Sequence, residues 1–216
     1  MEEKIKKNVQ FALGRREFLK MGLAAGLAAG IPVGIIPKIG SRKAYAEVVK
    51  GSEAVAKIPA ETRWTIATQG LTGSTAVTSK ALLDVVGQDK YNEILVQIWT
   101  EAGKASKQIA EALGLAGDDA KSAAETMRLV VIVMMGPEFE FEIVEAKRER
   151  AVSRWTGCAW WKRQKELGVS GELCYTGCPA YQNGFAKSLN PKLTASLTKA
   201  MPKGDPYCEY VYELQK

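Results

Sequence analysis

A chain of 216 residues with 46% hydrophobic and 25% charged residues is long enough for one domain with its own core. It contains no histidine. That removes the usual general base, proton shuttle and metal ligand near neutral pH, and with it most hydrolase and transferase templates. The net charge of +6 lies entirely in residues 1–46, where nine Lys/Arg face three acidic residues. The remainder is balanced, which excludes nucleic-acid binding driven by electrostatics.

The same N-terminal residues explain their charge. Gly14-Arg15-Arg16-Glu17-Phe18-Leu19-Lys20 resembles a twin-arginine export signal. A mildly apolar run follows from Met21 to Ile36, with four glycines and one proline. At 16 residues it is shorter than the roughly 20 that a spanning helix needs. Lys38, Arg42 and Lys43 then precede Ala44-Tyr45-Ala46, which fits a cleavage site before Glu47. The expectation is export in the folded state through the twin-arginine translocase to a periplasmic or other extracytoplasmic location. Membrane contact is then limited to the signal, if it stays uncleaved.

In chain order, residues 47–73 read as irregular, with Pro59, Gly70 and Gly73 as breaks, and a single domain is expected over 74–216. Helical spacing predicts a helix from Ser74 to Val86, ended by Gly87, and a second from Lys90 to about Leu113. The buried face of the second includes Ile94, Leu95, Ile98, Trp99 and Ile109. A third helix from Asp119 to Met134 ends in the wholly apolar run Leu129–Met135, which a strand would also fit. After Gly136-Pro137 the period drops to two. Phe139, Phe141 and Ile143 alternate with Glu138, Glu140 and Glu142, the pattern of a half-buried strand whose carboxylates form its wet side. Ala151–Thr156 reads as a returning strand, Trp160–Leu167 and Gly171–Leu189 as helices, and Leu193–Ala200 and Tyr207–Leu214 as two more strands. The expected fold is α+β: a helical N-terminal half packed on a four-stranded antiparallel sheet with two inserted helices.

All four cysteines lie between positions 158 and 208. Cys174 and Cys178 are four apart, so on a helix both sulfurs share a face. Cys158 ends one expected strand and Cys208 begins another. Strand-end ligands converging on a helical pair make Cys158, Cys174, Cys178 and Cys208 a candidate metal site. Four thiolates favour zinc or an iron–sulfur cluster, with zinc ahead. Trp155, Trp160 and Trp161 flank Cys158, and Tyr210 and Tyr212 share a strand face with Cys208. These five are candidate walls of a small-molecule pocket, with core packing as the competing role. Asp205, three residues before Cys208, is a candidate to accept a hydrogen bond that steadies the metal-binding sulfurs from behind. Two disulfides are the natural alternative in an exported chain, and buried inert thiols are another. A catalytic Cys178 or Cys208 would lack any histidine to activate it; no catalytic residue is assigned.

Cys158 with its aromatic neighbours, Cys174 and Cys178 before Gly184-Phe185, and Gly204-Asp205-Pro206-Tyr207-Cys208 together resemble the L-2-amino-thiazoline-4-carboxylic acid hydrolase family. The entry to the last strand is also similar to the 4-vinyl reductase type of small-molecule-binding domain, in which a zinc held mainly by cysteines sits beside a ligand pocket. The likeness covers roughly residues 75–214. It implies an α+β ligand-binding fold and, if the chain is an enzyme, hydrolysis of a C–N bond. Two other functions remain open at this point: a periplasmic iron–sulfur redox protein and a disulfide-stapled interaction domain.

Overall fold

The computed structural model describes residues 55–115, 117–169 and 171–216. The expected export signal, with Arg15, Arg16, Ala44 and Ala46, lies outside the described residues. The first element, α1 (Ala60–Val86), begins fourteen residues before the expected Ser74 and runs through Gly70 and Gly73 without a break. Much of the segment read as irregular is therefore helix. The reason is the composition of its inner face. Thr68, Thr72, Thr75, Ala76 and Ser79 are buried there. The threonine hydroxyls donate back to carbonyls one turn earlier, Thr72 to Thr68 at 3.0 Å and Thr75 to Leu71 at 2.8 Å. A helix that buries satisfied hydroxyls has no apolar stripe to betray it.

Gly87 links α1 to α2 (Gln88–Ala112), and Asp119 caps α3 (Ala120–Met135) by accepting from the Ser122 amide at 2.7 Å. The apolar run 129–135 is thus helical, not a strand. Gly136 ends it at φ 96°, and a Cβ there would lie 2.2 Å from the Thr68 hydroxyl, so only glycine lets α1 pass α3 this closely. Trp64 adds a tie between the same two helices, its Nε1 donating to the Val133 carbonyl at 3.1 Å.

The period-two segment forms β1 (Glu140–Ala146), which turns into β2 (Arg150–Gly157). Helix α4 (Ala159–Glu166) follows, then a π-helical turn (Leu173–Gly177) that runs directly into α5 (Cys178–Leu189). β3 (Leu193–Lys199), a 3-10 turn at Met201–Lys203 and β4 (Cys208–Leu214) complete the chain. The sheet is antiparallel throughout, in the order β1-β2-β4-β3, so the fold is α+β as the sequence implies. No helix among the described residues is long and apolar enough to cross a membrane.

One face of the sheet packs on α3 and α5, and α2 lies against α5. The α2–α5 crossing is very close because it is lined by glycines. A Cβ on Gly103 would sit 2.1 Å from the Tyr181 carbonyl oxygen, and one on Gly184 would sit 2.5 Å from the Thr100 carbonyl oxygen. The other sheet face carries polar and ionic residues, such as Arg154 bonded to Glu209 at 2.9 Å and Thr198 bonded to the same carboxylate at 2.9 Å. Register places Trp155 opposite Cys208, which brings the end of β2 and the start of β4 together at one end of the sheet.

Candidate functional site

That end of the sheet gathers all four cysteines. Cys158 is the N-cap of α4, Cys174 lies in the π-helical turn, Cys178 opens α5 and Cys208 opens β4. The sulfurs line one cavity of about 30 Å³, and all four are free thiols. Three sulfurs accept N–H hydrogen bonds: Cys158 from the Trp161 amide at 3.4 Å, Cys208 from the Met201 amide at 3.4 Å, and Cys174 from Gln164 Nε2 at 3.7 Å. Cys178 shares a hydrogen bond with Cys174. As the side chains stand, no group of three or more His, Cys, Asp or Glu among the described residues is arranged to hold a metal ion.

The rest of the wall is aromatic. Trp155, Trp160, Trp161 and Tyr210 line the cavity. Tyr212 does not: it is fully buried one layer further in, and its hydroxyl donates to Gln182 Oε1. Gln182 is the residue that reaches the cavity from that layer. Asp205 also departs from the expected role. Its carboxylate accepts from the Ala200 amide at 2.8 Å and so closes the turn before β4, while the Met201 amide one residue later serves Cys208. Asp205 therefore holds the loop rather than the sulfur.

Sequence reasoning did not place three further residues, Trp99, Phe139 and Gln164, at the site. Trp99 of α2 packs edge-on against Trp160, centroids 4.9 Å apart, and against Tyr181 at 6.0 Å. Phe139 does the same to Trp155 and Trp160, at 5.9 and 6.2 Å. Gln164, with no exposed surface, carries an unpartnered Oε1, and Trp160 has an unpartnered buried Nε1 at the cavity. Trp99 and Phe139 look like ordinary core residues in sequence. Only the buried glutamine within reach of a cysteine would have been a signal, and burial is not visible in one sequence.

Burial sets the electrostatics. It pushes the thiol of Cys158 up, with Cys174 adding to the effect. Cys178 is raised well above the usual thiol value by its hydrogen bond with Cys174 and then by burial. Burial lifts Cys208 from 9.0 to about 11 and Tyr181 from 10.0 to about 12. Without a cation Cys158, Cys178 and Cys208 are therefore neutral thiols near pH 7. Between pH 9 and 11 the unfolded chain sheds cysteine protons that the folded chain keeps. Stability is then full below about pH 9 and falls as pH rises, by about 2 kcal/mol for Cys208 alone. Urea midpoints of metal-free protein across this range should decline, and Cys208→Ser should flatten the decline. A pH-independent midpoint contradicts it.

Immediately outside the sulfur cavity is a second, open pocket of about 420 Å³. Cys158 and Trp161 line both. The outer walls add Glu138, Glu140, Lys162 and Lys165.

Residues 72–212 match the family model of L-2-amino-thiazoline-4-carboxylic acid hydrolase. The chain belongs to this family. The match spans every element from the middle of α1 to β4 and thus both cavities. Among solved structures, the chain is similar to the phenol-responsive sensory domain of the transcription activator PoxR, crystallised with phenol. Identity is 11% and the TM-score 0.52, over 66% of this chain and 74% of that one, a likeness of fold. No curated protein matches. Membership in the hydrolase family thus sits on a chain without histidine, in which the cysteine and aromatic residues meet at one end of the sheet.

Proposed function

We propose that this member of the L-2-amino-thiazoline-4-carboxylic acid hydrolase family is an exported small-molecule-binding domain in which Cys158, Cys174, Cys178 and Cys208 hold a zinc ion. The observation that carries the reading is the convergence of four sulfurs, from four different elements, on a cavity of about 30 Å³. That space suits one or two water-sized occupants and is far below the ~300–1,000 Å³ of small-molecule pockets. The donor chemistry fits as well. Thiolates are soft ligands, and N–H bonds to three of the sulfurs favour their charged form. Raised thiol values in the metal-free state mean that binding a cation releases protons.

A closed shell of four thiolates leaves no open coordination position, so zinc here would order the strand ends and helices rather than activate water. This favours binding over C–N hydrolysis. The similar sensory domain was crystallised with phenol, which supports small-molecule recognition by this fold. The twin-arginine signal supports loading in the cytoplasm, since that route carries folded proteins, and residence outside it. The test is metal analysis of protein purified without chelator from the exported fraction. About one equivalent of zinc is expected. A brown protein absorbing near ~400 nm assigns an iron–sulfur cluster and electron transfer instead. Less than a tenth of an equivalent of either metal, with no titratable thiol, leaves a disulfide-stapled domain.

A further inference from the structure

The outer pocket is large enough for an organic ligand, whereas the sulfur cavity is not. Its charges are unevenly matched. Glu138 is held between Lys162 at 2.9 Å and Arg163 at 2.7 Å, so its carboxylate is fully engaged. Lys165 has no carboxylate partner among the described residues; its ammonium only rests over the Trp161 ring, 5.6 Å from the centroid. Glu140, across the pocket on β1, likewise has no ion pair among the described residues. One exposed cation, one exposed acceptor and an indole between them thus face a common space. The floor at Gly157 has no side chain, and a Cβ there would meet Glu140 at 2.9 Å.

We infer that the outer pocket is the ligand seat, and that it takes a small aromatic hydroxy acid. The ring lies against the Trp161 indole. The ligand carboxylate takes the Lys165 ammonium, with Lys162 beside it. The ligand hydroxyl, at the far end of the ring, donates to Glu140. Both unmatched charges are satisfied by one molecule, and the ligand touches the sulfur cavity only through the shared walls Cys158 and Trp161. This rests on the small-molecule-binding reading but not on the metal.

The experiment is calorimetric titration of the full chain as purified with 4-hydroxybenzoate and with phenol. 4-Hydroxybenzoate should bind at least tenfold more tightly than phenol, and more weakly as salt rises. Lys165→Glu, an exposed change, should weaken it at least tenfold while leaving phenol and metal content unchanged. Trp161→Leu should weaken both probes. Phenol binding as tightly as 4-hydroxybenzoate, with no effect of Lys165→Glu, overturns the proposal while sparing the small-molecule reading. Absence of binding by either probe overturns both.

Discussion

Stripping the proposed zinc from the purified protein should lower its thermal midpoint by roughly 8–16 °C. The figure follows from mass action. A ligand present at about a thousand times its dissociation constant stabilises the folded state by about 4 kcal/mol. In a chain of this length each kcal/mol moves the midpoint by about 2–4 °C. The effect is large because of where the sulfurs sit. Cys158 follows β2 and Cys208 opens the adjacent β4, while Cys174 lies in the π-helical turn and Cys178 opens α5 directly after it. The proposed cation would tie all of these together, and without it the thiols, two buried and two half-buried, have only weak hydrogen bonds, from N–H groups and between Cys174 and Cys178. Scanning calorimetry before and after chelation reads the shift. Cys174→Ser and Cys208→Ser should each lose the metal and reproduce the low midpoint without chelator. Equal midpoints in all these samples would rule out a metal that contributes to folding.

Gly103→Ala and Gly184→Ala should each destabilise the protein by about 3 kcal/mol, with a midpoint drop of about 6–12 °C. In each case the new methyl meets a backbone carbonyl of the facing helix, at 2.1 Å from Tyr181 or 2.5 Å from Thr100. A carbonyl within a helix cannot swing aside as a side-chain tip can, so α2 and α5 must separate. Separation also disturbs the site. Tyr181 hydrogen-bonds Ser106 of α2 at 2.7 Å, Trp99 packs on Tyr181, and Cys178 opens the helix that moves. The opposite sign is expected at Gly70→Ala in α1. Nothing lies within 4 Å of its Cβ position, so only the helix preference remains, worth about 1 kcal/mol of added stability. Denaturant midpoints of the three variants settle the matter. A destabilised Gly70→Ala, or an unchanged Gly103→Ala, would contradict the packing described.

Local chemistry along the chain was enough for much of the architecture. The alternation of Phe141 and Ile143 with Glu140 and Glu142 specifies a strand with one wet face, and β1 is that strand. The stripe of Leu95 and Trp99 in a long periodic run specifies a helix with a buried side, and α2 buries both. The third helix, read from Asp119, starts one residue later, because Asp119 serves as its N-cap. The strand and helix readings succeed because period is a property of consecutive residues.

What the sequence by itself determined is therefore the α+β class, the order of elements and the set of chemically notable residues: four cysteines, the tryptophans beside Cys158 and Tyr210 near Cys208. What only the tertiary structure decided is how they meet. It placed Tyr212 behind Gln182, gave Asp205 to the loop amide, and brought Trp99 and Phe139 to the aromatic wall. It also separated an atom-sized sulfur cavity from a ligand-sized pocket. Periodicity records that a face is buried, but not which element buries it. Distances between sulfurs from four elements depend on strand register and helix crossing, here set by the Trp155–Cys208 pairing and the glycine contact of α2 with α5.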